Sequence, residues 1–84
     1  GLKTLLIYPN PSSDIFNLEF STNNIKNIEL KITNLIGEII FEDNLKEFNG
    51  EYKQKINLGY YSKGVYLFKM NTEYGVVNRK LILQ

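Results

Sequence analysis

Apolar and polar residues alternate along most of the chain, with the two-residue period of strands that bury one face. In FNLEF, residues 16–20, every second side chain is apolar and the residues between them are Asn and Glu. The pattern predicts a shared core formed by Phe16, Leu18, Phe20, Ile28, Leu30, Ile32, Ile56, Leu58, Tyr66, Phe68 and Met70. The stretch VVNRKLIL, residues 76–83, is apolar on both faces near its end, so its inward side is left open.

Clusters of Gly, Asn, Ser and Pro separate these segments and mark turns between them. Together they predict strands near residues 4–8, 15–20, 26–33, 38–44, 51–58, 65–71 and 76–83. A spacing of about ten residues is typical of antiparallel sandwiches and barrels. The helical competitor DIFNLEF, residues 14–20, is too short and has no convincing cap, so the chain is predicted to be all-β.

The segment LGYYSKGVYLFKM, residues 58–70, narrows the choice of fold. Tyr66 enters a strand two residues before the inward Phe68, which resembles the tyrosine corner of immunoglobulin-like sandwiches. An ordinary strand aromatic is the alternative for Tyr66. We expect an immunoglobulin-like antiparallel β-sandwich of about seven strands. In it the Tyr66 hydroxyl bonds to the backbone, and Phe68 and Met70 lie in the core.

Composition limits the size of the fold and its partners. With 84 residues, 43% of them hydrophobic, the chain is expected to form one domain, residues 1–84, in which residues 1–3 end a linker. The formal charge of +1 comes from 10 basic and 9 acidic residues without a basic block, so nucleic acid is not an expected partner. No apolar run approaches the roughly 18 residues of a membrane span, so direct membrane insertion is not expected. The missing initial Met suggests a piece of a longer chain.

Catalytic and metal-binding chemistry finds little support. The chain has no His and no Cys, which removes the usual neutral base, the thiol nucleophile and disulfides. No activating partner is visible for the serines, Ser12, Ser13, Ser21 and Ser62. The spacing of Glu42, Asp43 and Glu47 fits no EF-hand calcium loop, so a solvated segment is expected there. We expect no enzyme, no metal and no cofactor.

The stretch YPNP, Tyr8 to Pro11, stops the first strand. Pro9 and Pro11 each fix φ and lack an N–H, so a strand ladder cannot continue through them. We expect a rigid corner that leads the chain from one sheet to the other, with a contact surface as the alternative.

Four motifs follow one another along nearly the whole chain. They are YPNP after an apolar strand (Tyr8, Pro9, Asn10, Pro11), ITNLIGEII with Gly37, INLGYYSKGVY with Leu58, Gly64 and Tyr66, and Gly75 followed by KLILQ (Lys80, Leu81, Ile82, Leu83, Gln84). In this order they resemble the type A C-terminal sorting domain of cargo of the type IX, or Por, secretion system of Bacteroidota. Two departures are Asn34 where the family often has Asp, and Tyr61-Ser62 where it commonly has Leu-Pro. Asn supplies the same turn-capping oxygen as Asp.

The resemblance implies a sorting signal without chemistry of its own. The domain would follow a fused N-terminal cargo, fold in the periplasm, and be recognised by the outer-membrane secretion machinery. The cargo would reach the cell surface or the medium. A sortase-like peptidase would remove the domain near residues 1–4, and some family cargo becomes attached to surface lipopolysaccharide.

The stretch KLILQ, Lys80 to Gln84, is the candidate recognition site. A terminal strand that is apolar on both faces is expected to offer its edge to a receptor strand, with Lys80 adding specificity. The alternative is a last sandwich strand whose aliphatic side chains all pack inside.

A different function remains open, a fibronectin-like accessory or carbohydrate-binding module of a secreted enzyme. Its candidate site is an exposed aromatic patch of Tyr60, Tyr61 and Tyr74. We expect instead that at least one of these tyrosines packs into the core in the family's leucine position.

Overall fold

The chain forms one antiparallel β-fold. The computed structural model describes residues 2–84, without the side chains of Leu2, Lys3 and Asn24. Its strands are β1 (Leu2–Tyr8), β2 (Ile15–Thr33), β3 (Ile39–Asn57), β4 (Gly64–Thr72) and β5 (Gly75–Leu83). The predicted all-β class is confirmed. Of the expected linker residues, 2 and 3 lie in β1, and Gly1 lies outside the described residues.

Two long strands connect the layers of the fold. The first layer consists of β1, residues 15–22 of β2 and residues 50–57 of β3. The second layer consists of residues 39–48 of β3, residues 25–33 of β2, β4 and β5, in that order. The seven predicted strands therefore become five, because 15–20 and 26–33 belong to β2, and 38–44 and 51–58 to β3.

The sheet bends where β2 and β3 pass from one layer to the other. The register of β2 against β3 shifts between Thr22 and Ile25, so β2 carries one extra residue there. Opposite this bulge, Glu47 and Gly50 have φ angles of 49° and 117°. A bulge increases the local twist and bends the strand. The turns predicted between residues 20 and 26 and between residues 44 and 51 are therefore bends inside continuous strands.

The core lies between the two layers. All side chains predicted to face inward are buried. The sequence left open which face of β5 points inward. Leu81 and Leu83 are 0% and 2% exposed and face the core, while Ile82 is 40% exposed on the other face. Near the bend, the rings of Phe20 and Tyr52 stack with centroids 4.8 Å apart.

Tyr52, near the bend, forms a hydrogen bond to a carboxylate. Its raised pKa is expected to make the free energy of unfolding depend on pH. Its hydroxyl donates to Asp43 Oδ2 at 2.7 Å. Burial, and then this hydrogen bond, raise the pKa of Tyr52 well above its ordinary value of 10.0. A raised pKa in the folded state gives a contribution to stability that is complete below the unfolded pKa and is lost as pH rises above it.

We therefore expect the free energy of unfolding to fall above about pH 10. Tyr52→Phe should make this fall shallower, because it removes the group whose ionisation opposes folding. Urea unfolding at pH 8 and pH 11 measures the free energy of unfolding of the parent chain and of Tyr52→Phe. The fall should remain in part, since the pKa of Tyr8 is also raised, chiefly by its hydrogen bond to Glu19. An identical pH dependence in both chains would contradict the assignment.

Candidate functional site: the terminal strand and its clasp

The tail strand, defined here as residues 80–84, has two chemically different faces. It pairs with the start of β4, with Lys80 opposite Leu67 and Ile82 opposite Val65. Leu81 and Leu83 point into the core. Lys80, Ile82 and Gln84 are exposed. The alternative in which all aliphatic side chains of the tail pack inside is therefore correct for the leucines and wrong for Ile82.

The other edge of the tail strand is covered by the segment that follows YPNP. Asn10 Nδ2 donates to Lys80 O at 2.8 Å, and Ile82 N donates to Asn10 Oδ1 at 3.0 Å. Ser12 N donates to Ile82 O at 3.0 Å, and Gln84 N donates to Ser12 O at 2.8 Å. The Asn10 side-chain amide thus donates and accepts as a backbone peptide group would, and extends the short parallel pairing between Ser12 and the tail strand. We call Asn10 and Ser12 the clasp.

The hydrogen bonds of the clasp contradict the expectation that the tail strand offers its edge to a receptor strand. A free edge for a receptor strand requires unpaired N–H and C=O groups. On the side away from β4, the N–H and C=O of Ile82 and the N–H of Gln84 already bond within the chain. The tail strand therefore does not offer this edge for strand addition. Its exposed side chains remain available.

The YPNP segment ends β1 at Tyr8, and both X-Pro peptide bonds, before Pro9 and Pro11, are cis. The Tyr8 hydroxyl donates to Glu19, and Asn17 Nδ2 donates to Tyr8 O at 3.0 Å. These contacts hold the segment to the first layer, whereas the clasp two residues later holds it to β5 of the second layer. Since β1 and the start of β2 both lie in the first layer, the expectation that the corner leads from one sheet to the other is wrong. The corner instead ties the two layers together.

The predicted tyrosine corner is confirmed. Tyr66 is 5% exposed, and its hydroxyl donates to Ser62 O at 2.5 Å. The two inward residues that follow it in β4, Phe68 and Met70, are buried. Lys63 Nζ donates to Ser13 O at 3.0 Å. The loop before β4 is thereby fixed beside the clasp.

The glycines of the motifs lie where the backbone needs a positive φ. Gly37 and Gly75 have φ angles of 89° and 133°, in the turns between β2 and β3 and between β4 and β5. A Cβ would meet nothing within 4 Å at either position, so the constraint is conformational and not steric. Asn34 caps the first of these turns, since its Oδ1 accepts from the N–H groups of Ile36 and Glu38. Asn34 therefore does supply the turn-capping oxygen expected of it.

The proposed aromatic patch does not form. Tyr60, Tyr61 and Tyr74 are 98%, 43% and 71% exposed, so the expectation that one of them packs into the core is wrong. The first two lie just before β4, and Tyr74 lies in the turn after it. A nine-residue strand separates them by about 27 Å, too far for one binding patch.

The remaining candidate residues serve the fold. Asp43 accepts from Tyr52, and within residues 2–84 no group of three or more Asp or Glu could hold a metal ion. Ser12 Oγ donates to Ile15 O at 2.6 Å and accepts from Asp14 N, which caps the start of β2. The described part of the chain contains no helix of a length and apolarity that would cross a membrane.

The start of β1 and the tail strand lie at opposite ends of the molecule. Leu2 pairs with Thr22 at the bend, whereas Ser12, just before β2, pairs with Leu83. The stretch of β2 between these points is about 23 Å long, and the longest dimension of the molecule is 36 Å.

Comparison with known proteins agrees with these features. The family described as "Secretion system C-terminal sorting domain" matches residues 6–84. An endo-acting ulvan lyase of Formosa agariphila is 34% identical over 82 residues, which cover 93% of this chain and 14% of that protein. The chain thus spans about one seventh of the length of this curated relative. Since the family match covers nearly every residue, the chain belongs to the C-terminal sorting domains, which direct cargo through the type IX secretion system across the outer membrane to the cell surface or medium.

Proposed function

We propose that the secretion machinery recognises this domain through the exposed side chains of the tail strand, Lys80, Ile82 and Gln84. The observation that carries the proposal is the alternation within the strand, where Leu81 and Leu83 anchor it in the core and the residues between them face outward. A receptor would then read side chains on a strand that is already folded. Pre-ordering lowers the entropic cost of binding.

The clasp supports recognition by side chains and not by backbone. Asn10 and Ser12 bond the outer N–H and C=O groups of the strand, so a receptor strand would have to displace them. Ile82, 40% exposed, gives an apolar contact, and Lys80 gives a charge beside it. Interface centres are depleted of charge and their rims are polar, so Ile82 would lie at the centre of the contact and Lys80 at its rim.

A sortase-like peptidase would act at the other end of the molecule. The junction to a fused cargo precedes β1, which starts at Leu2 beside the bend. This end is far from the tail strand, so the peptidase could cut at the junction near residues 1–4 while the machinery still holds the tail. A secreted enzyme is the cargo that the ulvan lyase relative favours. The single core cluster supports residues 2–84 as one autonomous domain.

The test is export of a reporter that carries a signal peptide at one end and this chain at the other, in a host with a type IX system. We expect the triple variant Lys80→Ala/Ile82→Ala/Gln84→Ala to lower export at least tenfold, equivalent to about 1.4 kcal/mol of receptor binding. Measuring the reporter in medium and periplasm shows where it stops. The variant keeps Leu81, Leu83 and the backbone hydrogen bonds, so its unfolding midpoint should stay close to that of the parent chain.

The matched control is Lys53→Ala/Lys55→Ala, which truncates exposed side chains on alternate positions of β3. This control should be exported like the parent chain. Full export of the triple variant would reject the tail strand as the recognised element.

A further inference from the structure

The outer face of the second layer carries an apolar surface that continues from the tail strand. In the strand register, Ile39 of β3 and Leu67 of β4 flank Thr33 of β2 on one row. The next row pairs Val65 with Ile82. Directly paired residues share one face of a sheet, and every second residue returns to it. These side chains therefore lie on the same face of the layer as Ile82 and extend from the tail strand across β4 and β2 to β3.

The apolar side chains on this face are unusually accessible. Ile39 is 52% exposed, Leu67 is 43% exposed and Ile82 is 40% exposed. They span from β3 to β5, three strand spacings or about 14 Å. Contiguous exposed apolar surface of this kind marks interaction sites more often than isolated exposed residues do.

An open groove of about 660 Å³ extends the face beyond the strand ends. Ile39 and Val65 line both the groove and the outer face. The turn side chains Leu35 and Ile36, 68% and 83% exposed, form its far wall. Apolar side chains thus recur from Ile82 to Ile36 at the end of the fold that carries the tail strand, interspersed with polar side chains such as Asn34 and Ser62.

The charges on this face set the chemistry of a partner. Lys31 lies 3.8 Å from Glu29 and 3.9 Å from Glu42, so its charge is compensated. Lys69 and Lys80, on the same face by register, form no ion pair within the described residues. The apolar surface is therefore bordered by the unpaired charges of Lys69 and Lys80, and the groove beside it adds Lys63 and Glu38.

These charges argue against a lipid occupant. A second copy of the chain is left to the experiment: a dimer of the parent chain that Leu67→Glu dissociates would overturn a partner from the secretion machinery. An anionic lipid surface would meet the carboxylates of Glu38 and Glu42, which border the same apolar residues. A protein surface with carboxylates opposite the two lysines fits the mixed pattern.

We infer that this docking face, consisting of Ile39, Val65, Leu67, Ile82, Lys69 and Lys80, binds an apolar, carboxylate-bearing surface of a protein of the secretion machinery. The inference rests on the proposed function and deepens it, since the tail strand becomes one border of a larger contact. Leu67 lies near its centre. Residues far from the tail in sequence therefore contribute to sorting.

The test uses the reporter fusion with Leu67→Glu, which adds a negative charge opposite the expected carboxylates and removes an apolar contact. We expect export to fall at least tenfold. Lys69→Glu should lower it in the same direction. The matched control is Val76→Glu, because Val76 is 49% exposed on the same side of the layer but at the far end of β5. Leu6→Glu, at a 46% exposed position on β1, is a second control. Both controls should export like the parent chain.

Normal export of Leu67→Glu overturns the inference, and so does an equal loss in Val76→Glu. Unfolding midpoints establish that each variant is folded, and Leu67→Ala replaces Leu67→Glu if the latter unfolds. Sedimentation of the parent chain, but not of Leu67→Glu, with phosphatidylglycerol vesicles would identify a membrane contact and overturn the protein partner. The tail triple variant separates the two proposals. Normal export of the triple variant rejects the proposed function. If export of the triple variant is lost while Leu67→Glu is exported normally, only the larger docking face is rejected.

Discussion

Leu81→Ala is expected to lower the free energy of unfolding by about 2–5 kcal/mol, the range for a large aliphatic side chain truncated in a core. Leu81 is 0% exposed and pairs with Tyr66 across β4 and β5. The truncation would leave a cavity beside the tyrosine corner. Urea unfolding of the 84-residue chain measures the loss.

Ile82→Ala is the neighbouring control, since its side chain is 40% exposed and its loss should cost far less. Equal destabilisation by both substitutions would contradict the inward orientation of Leu81. The same reasoning bears on export tests. Removal of the whole tail strand deletes Leu81 and Leu83 from the core, so a deletion lowers stability and receptor contact together. Substitution of the outward residues alone separates these effects.

Asn10→Ala is expected to lower the free energy of unfolding by about 1–3 kcal/mol, from the two hydrogen bonds that its side chain makes to β5. Alanine cannot accept from Ile82 N or donate to Lys80 O. The largest local effect should appear at the Ile82 amide, which loses its acceptor and should exchange hydrogen faster. Hydrogen exchange followed by NMR reports this amide and that of Gln84 separately.

The matched control is Asn71→Ala, at an exposed position of β4, which should leave exchange at Ile82 unchanged. Asn10→Asp provides a graded variant, because a carboxylate oxygen can still accept from Ile82 N but cannot donate to Lys80 O. Its Ile82 amide should stay more protected than in Asn10→Ala. Unchanged protection of Ile82 in Asn10→Ala would contradict the clasp.

Local periodicity was enough to predict most of the core, but Ile25 and Tyr52, which are buried beside the bend, were not predicted. Every second residue in segments such as Ile28–Ile32 and Tyr66–Met70 is buried, as the alternation indicated. A strand that buries one face must alternate, so this information is local. In VVNRKLIL the pattern was ambiguous because Ile82 is apolar and yet faces outward.

The continuity of β2 and β3 could not be read from the same pattern. The Asn-rich segment before Ile25 and the Gly50 segment have the composition of turns, but here they form a bulge and its partner bend. Turn residues and bulge residues share the same tolerance of positive φ. Only the pairing partner distinguishes a hairpin from a bent strand, and pairing is not local.

The clasp was missed for a related reason. Asn10 and Ile82 are 72 residues apart in the chain, and their contact joins a side chain to a backbone N–H. Neither the two prolines beside Asn10 nor the apolar tail carries a signal for this pairing. In the family motif, YPNP and the terminal Lys-plus-aliphatic stretch appear as separate features. In the fold they form one unit, which gives the proline corner a role in holding the strand that we propose is recognised.

The most direct test of recognition through the outward face of the tail strand is site-specific photo-crosslinking during export. A photoreactive amino acid replaces Ile82 in one reporter fusion and Lys53, an exposed residue of β3, in another. Irradiation of secreting cells should join the fusion labelled at position 82 to a protein of the type IX machinery, identified by mass spectrometry, while position 53 gives no such adduct. Adducts at position 53 and none at position 82 would contradict recognition through the tail strand.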